Sequence, residues 1–234
     1  MRLNKISLAA LVLGGSALLA ACGGGGGGGG GSALTLKGTA AVGAPVVGAV
    51  SATCKSGTGT ATSNADGSFT VVINGGVGPC LLSITPVGGA TLYSVTSGSG
   101  AVQTANITPM TNMLVNYLRS VPGMNTAANT AAWFALPAVG ALLADTTALT
   151  ARIVNDFIPA MHVLLPSLSL SDSGFLFTTF TASPTGSSTD ADLEKLKTAG
   201  IILSTGAPST ATTNSLTTAA SNDTAVVAPT GAGS

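Results

Sequence analysis

The sequence contains very little charge. Only 7% of its 234 residues are Asp, Glu, Lys or Arg, and the formal net charge is +0. A chain with no basic excess has neither the electrostatic footprint for nucleic acid nor a polybasic patch for anionic lipid. Nucleic acid is therefore excluded as an expected partner, and recognition driven by charge is not favoured.

Aromatic residues and histidine are also scarce. Phe, Trp and Tyr together account for 4%, and His162 is the only histidine. Trp133, Tyr93 and Tyr117 are too scattered to form a sugar-stacking platform, and we expect them in the core. Any Ser-His-Asp mechanism would need His162 as its base. That residue lies in the apolar stretch FIPAMHVLLP, where we expect a structural role.

Familiar catalytic and metal-binding motifs are missing too. The sequence contains no H-E-x-x-H, C-x-x-C, P-loop or G-x-S-x-G motif, and no G-x-G-x-x-G after a predicted strand. Asp190, Asp192 and Glu194 form the densest carboxylate group, but their spacing on a helix favours a solvated first turn. Asp66 is expected to bond within its own turn instead of binding calcium. We predict a protein that is not an enzyme, with no cofactor and no metal; a hydrolase that uses a serine or a carboxylate pair is the alternative.

The N-terminus has the layout of a secretory signal peptide. Arg2 and Lys5 precede an apolar run over 6–19 and a few small residues. The run is too short, and too interrupted by glycine and serine, for a comfortable membrane-spanning helix. Residues 1–21 are therefore predicted to be removed.

The end of this leader, Leu19-Ala20-Ala21-Cys22, resembles the lipobox of bacterial lipoproteins, which are cleaved directly before a cysteine that carries the lipid. The resemblance implies that Cys22 is lipidated and that the anchor makes the membrane a partner. A residue other than aspartate at Gly23 implies, by the same resemblance, the outer membrane of the cell envelope. An ordinary signal peptide that ends near Ala21 and leaves a free thiol is the alternative.

A run of glycine over 23–31 and Ser32 follow this cysteine. Glycine samples the widest range of backbone conformations, so we expect a random coil with an end-to-end distance of about 17 Å. We assign 22–33 to the lipidated cysteine and its tether. A neutral expansion whose length has no meaning is the alternative.

The next part of the chain, 34–107, reads as an antiparallel β-sandwich. Short segments rich in β-branched residues alternate with Gly, Pro, Asn and Asp turn signals, which is typical of all-β sandwiches. These segments are LTLKG, VVGAVSATC, GTATS, SFTVVI, CLLSITPV and TLYSVTS.

Three of these predicted strands carry apolar residues at every second position. The alternating sets are Phe69, Val71 and Ile73, then Cys80, Leu82 and Ile84, and Val50, Ala52 and Cys54. Cys54 and Cys80 therefore project from apolar faces. Once Cys22 is assigned to the lipid, an oxidising compartment favours a disulfide between them. Two unpaired buried thiols are the alternative.

The stretch KGTAAVGAPVVGAVSATC, followed by GTATSNADGSFTVVI, resembles the carboxypeptidase regulatory-like domain, a transthyretin-like β-sandwich. The resemblance covers about 34–107, although Ser51 replaces a usual apolar residue. It implies a domain without catalytic residues of its own, of a kind that accompanies enzymes and surface proteins. The matching residues are Gly38, Gly43, Pro45, Gly48, Ala49, Ser51, Thr62, Asp66, Gly67 and Phe69.

Residues 108–204 are predicted to be helical, which makes the fold class α+β. Thr108 is a good N-cap and Pro109 a good first residue for a helix whose apolar face has helical spacing. The members of that face are Met110, Met113, Leu114, Tyr117 and Leu118.

Three further helices are expected in this region. One spans 126–136, and a second runs over 147–165 with a kink at Pro159. The last is short, with Thr189 as its cap and Gly200 at its end. From Thr205 onward the residues offer too little apolar periodicity to fold, so 205–234 is expected to be a disordered tail.

The segments NITPMTNMLVNYL, FLFTTFTASPTG and DADLEKLK also look like exported bacterial lipoproteins of unassigned role. This likeness brings no activity with it. The favoured function is a membrane-anchored envelope lipoprotein with a structural, adhesive or protein-binding role. A carbohydrate- or peptide-binding module is the main alternative, because related sandwiches bind ligands through edge strands and loops. Partners would then be an envelope protein or a glycan.

Overall fold

The computed structural model describes residues 32–182 and 186–226. They belong to one compact unit, which spans Gly31–Ser234. The predicted signal peptide, Cys22 and the glycines of the tether lie outside the described residues, as do 183–185 and 227–234. In the part that the structure describes, no helix is both long enough and apolar enough to cross a membrane.

The first half of the described chain forms two β-sheets. A three-stranded sheet has the order β4-β1-β7, and a four-stranded sheet has the order β3-β2-β5-β6. The strands are β1 (Leu34–Thr39), β2 (Ala49–Ser56), β3 (Thr58–Thr62), β4 (Ser68–Ile73), β5 (Val77–Ile84), β6 (Leu92–Val95) and β7 (Val102–Thr104). The six predicted strands are confirmed. The short β7 was not predicted.

A shared apolar core lies between the two sheets. The alternating residues predicted on β2, β4 and β5 are all buried in it, so the predicted strand faces are confirmed. The prediction of a purely antiparallel sandwich is wrong in one place, because β1 pairs with β7 in parallel. β7 follows β6 of the other sheet, and the chain that crosses over returns alongside β1 in the same direction.

A disulfide joins Cys54 of β2 to Cys80 of β5, residues that are 26 apart in sequence. The two cysteines are direct partners across the β2–β5 ladder. Both side chains are buried on the inner face of the four-stranded sheet, as the alternating pattern predicted. The bond therefore ties the two central strands of that sheet together.

The second half of the described chain is helical, so the α+β class is confirmed. The helices are α1 (Pro109–Ser120), α2 (Thr130–Phe134), α3 (Pro137–Ala144), α4 (Thr146–Arg152), α5 (Ile158–Leu164), α6 (Gly174–Phe177), α7 (Ser188–Thr198) and α8 (Thr210–Ser221). A π-helical turn, Ile153–Phe157, joins α4 to α5 without a break.

Helix α1 begins as the sequence predicted. Thr108 caps it through a reciprocal pair of bonds with Thr111, and Pro109 is its first residue. The predicted apolar face is fully buried in a second core, formed by the helices together with Leu81 and Val95. Those two residues lie on the face of β5 and β6 that is turned away from the sandwich core, so the helices cover that part of the sheet.

The long helix predicted over 147–165 is confirmed. At Pro159 the helix continues, and a π-helical turn precedes the proline. Proline has no N–H to donate and its ring clashes with the carbonyl four residues earlier. In the π-helical turn directly before it, the N–H of Ile158 bonds to the carbonyl of Ile153. One extra residue in this turn lets the helix continue past the proline, as π-bulges do inside α-helices.

The remaining helix predictions need correction. The helix expected over 126–136 is reduced to α2, capped by Asn129. Helix α7 is capped by Ser187 instead of Thr189, although Gly200 ends it with a positive φ of 69° as predicted. Helices α3 and α6 were not predicted. Both are short and rich in apolar residues, so periodicity carries little information in them.

The expected disorder from Thr205 onward is wrong for the residues the structure describes. Helix α8 lies in this stretch and packs against α1, with Leu216 and Ala220 buried. Ser209 supplies its N-cap. Two apolar residues one helical turn apart are enough to hold this helix on an existing core, although they are too few to signal a helix in the sequence. Residues 227–234 lie outside the described chain.

Loss of the disulfide should destabilise the protein substantially. Replacing Cys54 and Cys80 together by alanine should lower the free energy of unfolding by about 3–4 kcal/mol, because the 26-residue separation places the loop between the short and long loops of the chain-entropy model. Urea denaturation measures the loss. A reductant should destabilise the unaltered protein by a similar amount and leave the double variant unchanged; equal responses of both proteins would contradict the prediction.

The docking of α8 is tested by Leu216→Ala. Leu216 is 3% exposed, so its truncation should cost about 2–5 kcal/mol of unfolding free energy. Leu203→Ala is the matched control, because that leucine is 49% exposed and its loss should stay within about 0.5 kcal/mol. Equal effects of the two substitutions on urea denaturation would show that α8 does not pack as described.

Candidate functional site

The four-stranded sheet has an exposed outer face, by which we mean the side turned away from the three-stranded sheet. Outward residues of β3 and β2 are serine and threonine at several consecutive positions. The register places Thr60 opposite Ser51 and Ser51 opposite Ser83 on β5, which makes a row of hydroxyls across three strands. The next row runs from Thr58 to Thr53. This face can donate and accept hydrogen bonds without carrying charge.

Strand β3 is the edge of this sheet. The N–H of Cys54 donates to the carbonyl of Gly57 at 3.0 Å where β2 turns into β3. Because hydrogen-bonded pairs alternate along an antiparallel ladder, the backbone groups of three threonines on β3 point away from β2: Thr58, Thr60 and Thr62. An edge of this kind can pair with an added strand.

Next to the hydroxyl rows, the outer face meets helices α2 and α3 in an apolar groove of about 620 Å³. Its base is Thr53, Lys55 and Pro79 from the sheet, and its side is apolar. The residues of that side include Phe134, Leu136, Pro137 and Ala141. The volume falls in the range of about 300–1,000 Å³ that is typical of small-molecule sites, and such sites are mostly apolar with a few polar groups.

A smaller polar cavity of about 270 Å³ lies between α6, α7 and the chain before α6. Asp172 and Asp192 both line it. Asp172 accepts a bond from the N–H of Gly174 at 2.7 Å. Asp192 accepts from the N–H of Ser169 and from the ammonium of Lys195, each within 3.0 Å. The two carboxylates that line this cavity therefore already have partners in the protein.

The prediction of a solvated carboxylate turn is wrong for two of the three residues. Asp190 and Asp192 are 3% and 2% exposed. Asp192 shares a helix face with the buried Leu193 and Leu196, and its bonds with Ser169 and Lys195 compensate for the loss of water. Glu194 is exposed as predicted and pairs with Lys197 at 3.7 Å.

His162 lies half-buried in α5. Within the described residues its Nε2 has no hydrogen-bond partner, and no bond links the ring to a serine or a carboxylate. The arrangement needed for a Ser-His-Asp mechanism is therefore not formed around this histidine in the described chain. Groups of three or more His, Cys, Asp or Glu suited to a metal ion are also not found among those residues.

The aromatic residues lie largely where the sequence predicted. Trp133 and Tyr117 are buried in the helical core, and Tyr93 is half-buried against it. Tyr117 packs edge-on against Phe157 at a centroid distance of 5.6 Å. Asp66 stays within its turn and accepts bonds from the N–H and hydroxyl of Ser68, which lower its pKa.

Another charged cluster of the described chain lies elsewhere and was not predicted. Arg152 of α4 forms ion pairs with Asp156 at 3.4 Å and with Asp223 at 2.5 Å. The hydroxyl of Tyr117 bonds to the same Asp223 at 3.2 Å. Burial, with the nearby Asp223 charge second, raises the pKa of Tyr117 well above its usual value. These contacts hold the segment after α8 against α1 and α4, so we interpret the cluster as structural.

The pKa of Asp156 is raised above its usual value of 3.8, mainly by burial and then by the charge of Asp223. An acid whose pKa is higher in the folded state disfavours folding once it is ionised, and this penalty disappears below pH 3.8. Asp156→Asn should therefore raise the melting temperature at neutral pH and make little difference near pH 3.

Asp66→Asn provides a control of opposite sign. The pKa of Asp66 is lowered in the folded state. The stabilising effect of its carboxylate is therefore present at neutral pH and is lost as the pH falls through that lowered value. This variant should melt lower than the unaltered protein at pH 7 and should approach it in acid. Melting curves over the pH range decide both cases; a shift of Asp156→Asn that does not depend on pH would contradict the assignment.

Comparison with known proteins found no match among family models, curated proteins or solved structures. The candidate face therefore rests on geometry alone. Sequence reasoning missed it because hydroxyl-bearing residues have no motif. The alternating exposed residues of SATCKS and TGTAT carry the only signal, and it becomes specific only when the register brings the strands together.

Proposed function

We propose that this chain is a lipid-anchored protein of the bacterial cell envelope with no catalytic role, which binds a ligand on the outer face of its four-stranded sheet. In this proposal Cys22 carries the lipid, the membrane is the partner through that anchor, and the sandwich over 34–107 is of the carboxypeptidase regulatory-like, transthyretin-like type. The outer membrane is the proposed location.

The positions of the motif residues support the family proposal. A Cβ at Gly38 would collide with the carbonyl of Ala105, so the adjacent backbones need glycine there. Gly43 and Gly67 both have a φ of 80°, which L side chains rarely adopt. The residues that carry the resemblance therefore have the backbone roles that a shared fold would give them.

We call the end of the sandwich where the chain enters β1 the entry end. The anchoring proposal is carried by the exposed apolar residues at this end. Leu34 pairs with Ile73 there. Three exposed valines lie at this end: Val72, Val77 and Val102, with exposures of 57%, 42% and 64%. A contiguous patch of exposed apolar residues favours contact with a protein or a membrane, and the register places Val72 and Val102 on either side of Thr35. A membrane tether that precedes β1 would keep this end near the bilayer.

The hydroxyl rows favour carbohydrate as the ligand of the outer face. Thr60, Ser51 and Ser83 offer donors and acceptors at the strand spacing of the sheet. A glycan can use such neutral hydroxyls, whereas an acidic ligand finds little charge on these rows.

The anchor is tested by intact mass spectrometry of the protein extracted from membranes. The expected mass is that of a chain that starts at an acylated Cys22, with a gain of two hydrogens on reduction of the Cys54–Cys80 bond. Cys22→Ser should release the protein from the membrane fraction, while Cys54→Ser should leave it there. A chain that retains its leader, or an unmodified Cys22, would contradict the proposal.

A further inference from the structure

We propose that the apolar groove between the outer face and helices α2 and α3 binds the hydrocarbon chain of a single-chain fatty acid, with its carboxylate at Lys55. The inference deepens the proposed ligand-binding role and rests on it. It assigns a ligand class to one part of the outer face, and Thr53 is the one member of the hydroxyl rows that lines the groove.

Gly140 is the strongest indication that the groove is kept open. It lies inside α3 and lines the groove, and a Cβ added to it would meet nothing within 4 Å. It is not among the glycines of positive φ, so its backbone does not require glycine. Glycine inside a helix costs about 0.5–1 kcal/mol relative to alanine. The chain therefore has a weaker helix at a position where a side chain larger than a methyl group would extend into the open space of the groove.

Lys55 provides the one cationic group of the groove. It is exposed at the end of β2, and no ion pair or hydrogen bond joins its ammonium to another described residue. In a chain with so few charges, an unpaired ammonium beside an apolar surface is suited to an amphiphile with an anionic head. The aliphatic stem of lysine can lie along the hydrocarbon while its ammonium stays in water.

The base of the groove is rigid, which favours a preformed site. Cys54 lines the groove and its disulfide joins the base strand β2 to β5. Pro79, beside Cys80, fixes the backbone at the other edge of the base. A site that is already shaped loses less entropy when it orders a flexible ligand.

In the anchored protein proposed above, the position of the groove favours a membrane-derived amphiphile as the ligand. Lys55 lies at the end of β2, close to the turn that leads to β3, and a Cβ at Gly57 in that turn would touch the side chain of Ile73. Ile73 pairs with Leu34, so the turn is at the entry end. We commit to a single-chain fatty acid because the groove has an apolar side and one cationic group.

The experiment uses the unlipidated chain from residue 22 to 234 with Cys22→Ser and an oxidised Cys54–Cys80 bond. A dansyl-labelled undecanoic acid is titrated below its micellar concentration, and dodecanoate and dodecanol then compete with it. We expect saturable binding of one probe per chain. Gly140→Phe should weaken binding by at least about tenfold by filling the groove, whereas Gly140→Ala should retain it and raise the melting temperature.

The charge is tested separately. Lys55→Gln should weaken dodecanoate about two- to fivefold and leave dodecanol unchanged, as expected for an exposed ion pair. Lys37→Gln, at an exposed lysine of the other sheet, should change neither. If Gly140→Phe does not fold, Ala144→Phe at the exposed end of the groove replaces it.

Several results would overturn the inference. They are the absence of saturable binding, binding that Gly140→Phe or its replacement leaves intact, and binding restricted to phosphatidylglycerol vesicles or to a peptidoglycan fragment. Because the chain in this experiment carries no lipid, its outcome is independent of the anchor. A failed anchor appears in the mass spectrum of the native protein, and a failed groove appears only in the titration.

Discussion

The structure depends on strand β5, which contributes buried residues to both apolar cores. Leu82 and Ile84 lie in the sandwich core, while Leu81 lies in the core formed by the helices. In a chain with 7% charged residues, burial of apolar surface is the dominant stabilising term, and one strand contributes to it on both sides. The disulfide fastens this strand to β2. The sheets and the helices are therefore parts of one compact unit.

The strands were predictable because their pattern is local. Phe69, Val71 and Ile73 alternate with exposed residues, and the turn signals between strands are glycine, asparagine and aspartate. Helix α1 was predictable for the same reason, since Thr108 and Pro109 mark its start. The tertiary environment decided the other helices. Short α3 and α6 carry no clear period, and α8 forms because an apolar surface on α1 is available to a helix with two buried apolar side chains.

The candidate site was not predictable from the sequence. The sequence identified His162 as the only histidine, and in the described chain its Nε2 has no hydrogen-bond partner. The positive features depend on register and on helix placement. No sequence rule places Lys55 beside α3 or identifies Gly140 as a lining residue, because each contact joins segments that are distant along the chain. The burial of Asp192 was missed for the same reason: its partner, the N–H of Ser169, belongs to another segment.

The packing of α8 on α1 also sets the order in which the chain can complete its fold. α1 ends at Ser120 and α8 ends at Ser221, so α1 emerges from the ribosome long before its partner does. Until then, part of the helical core is not covered. Exposed apolar surface of this kind is typical of partly folded intermediates. The last described helix thus acts as a completion step, and a chain that stops early keeps an apolar face that quality-control proteases can recognise.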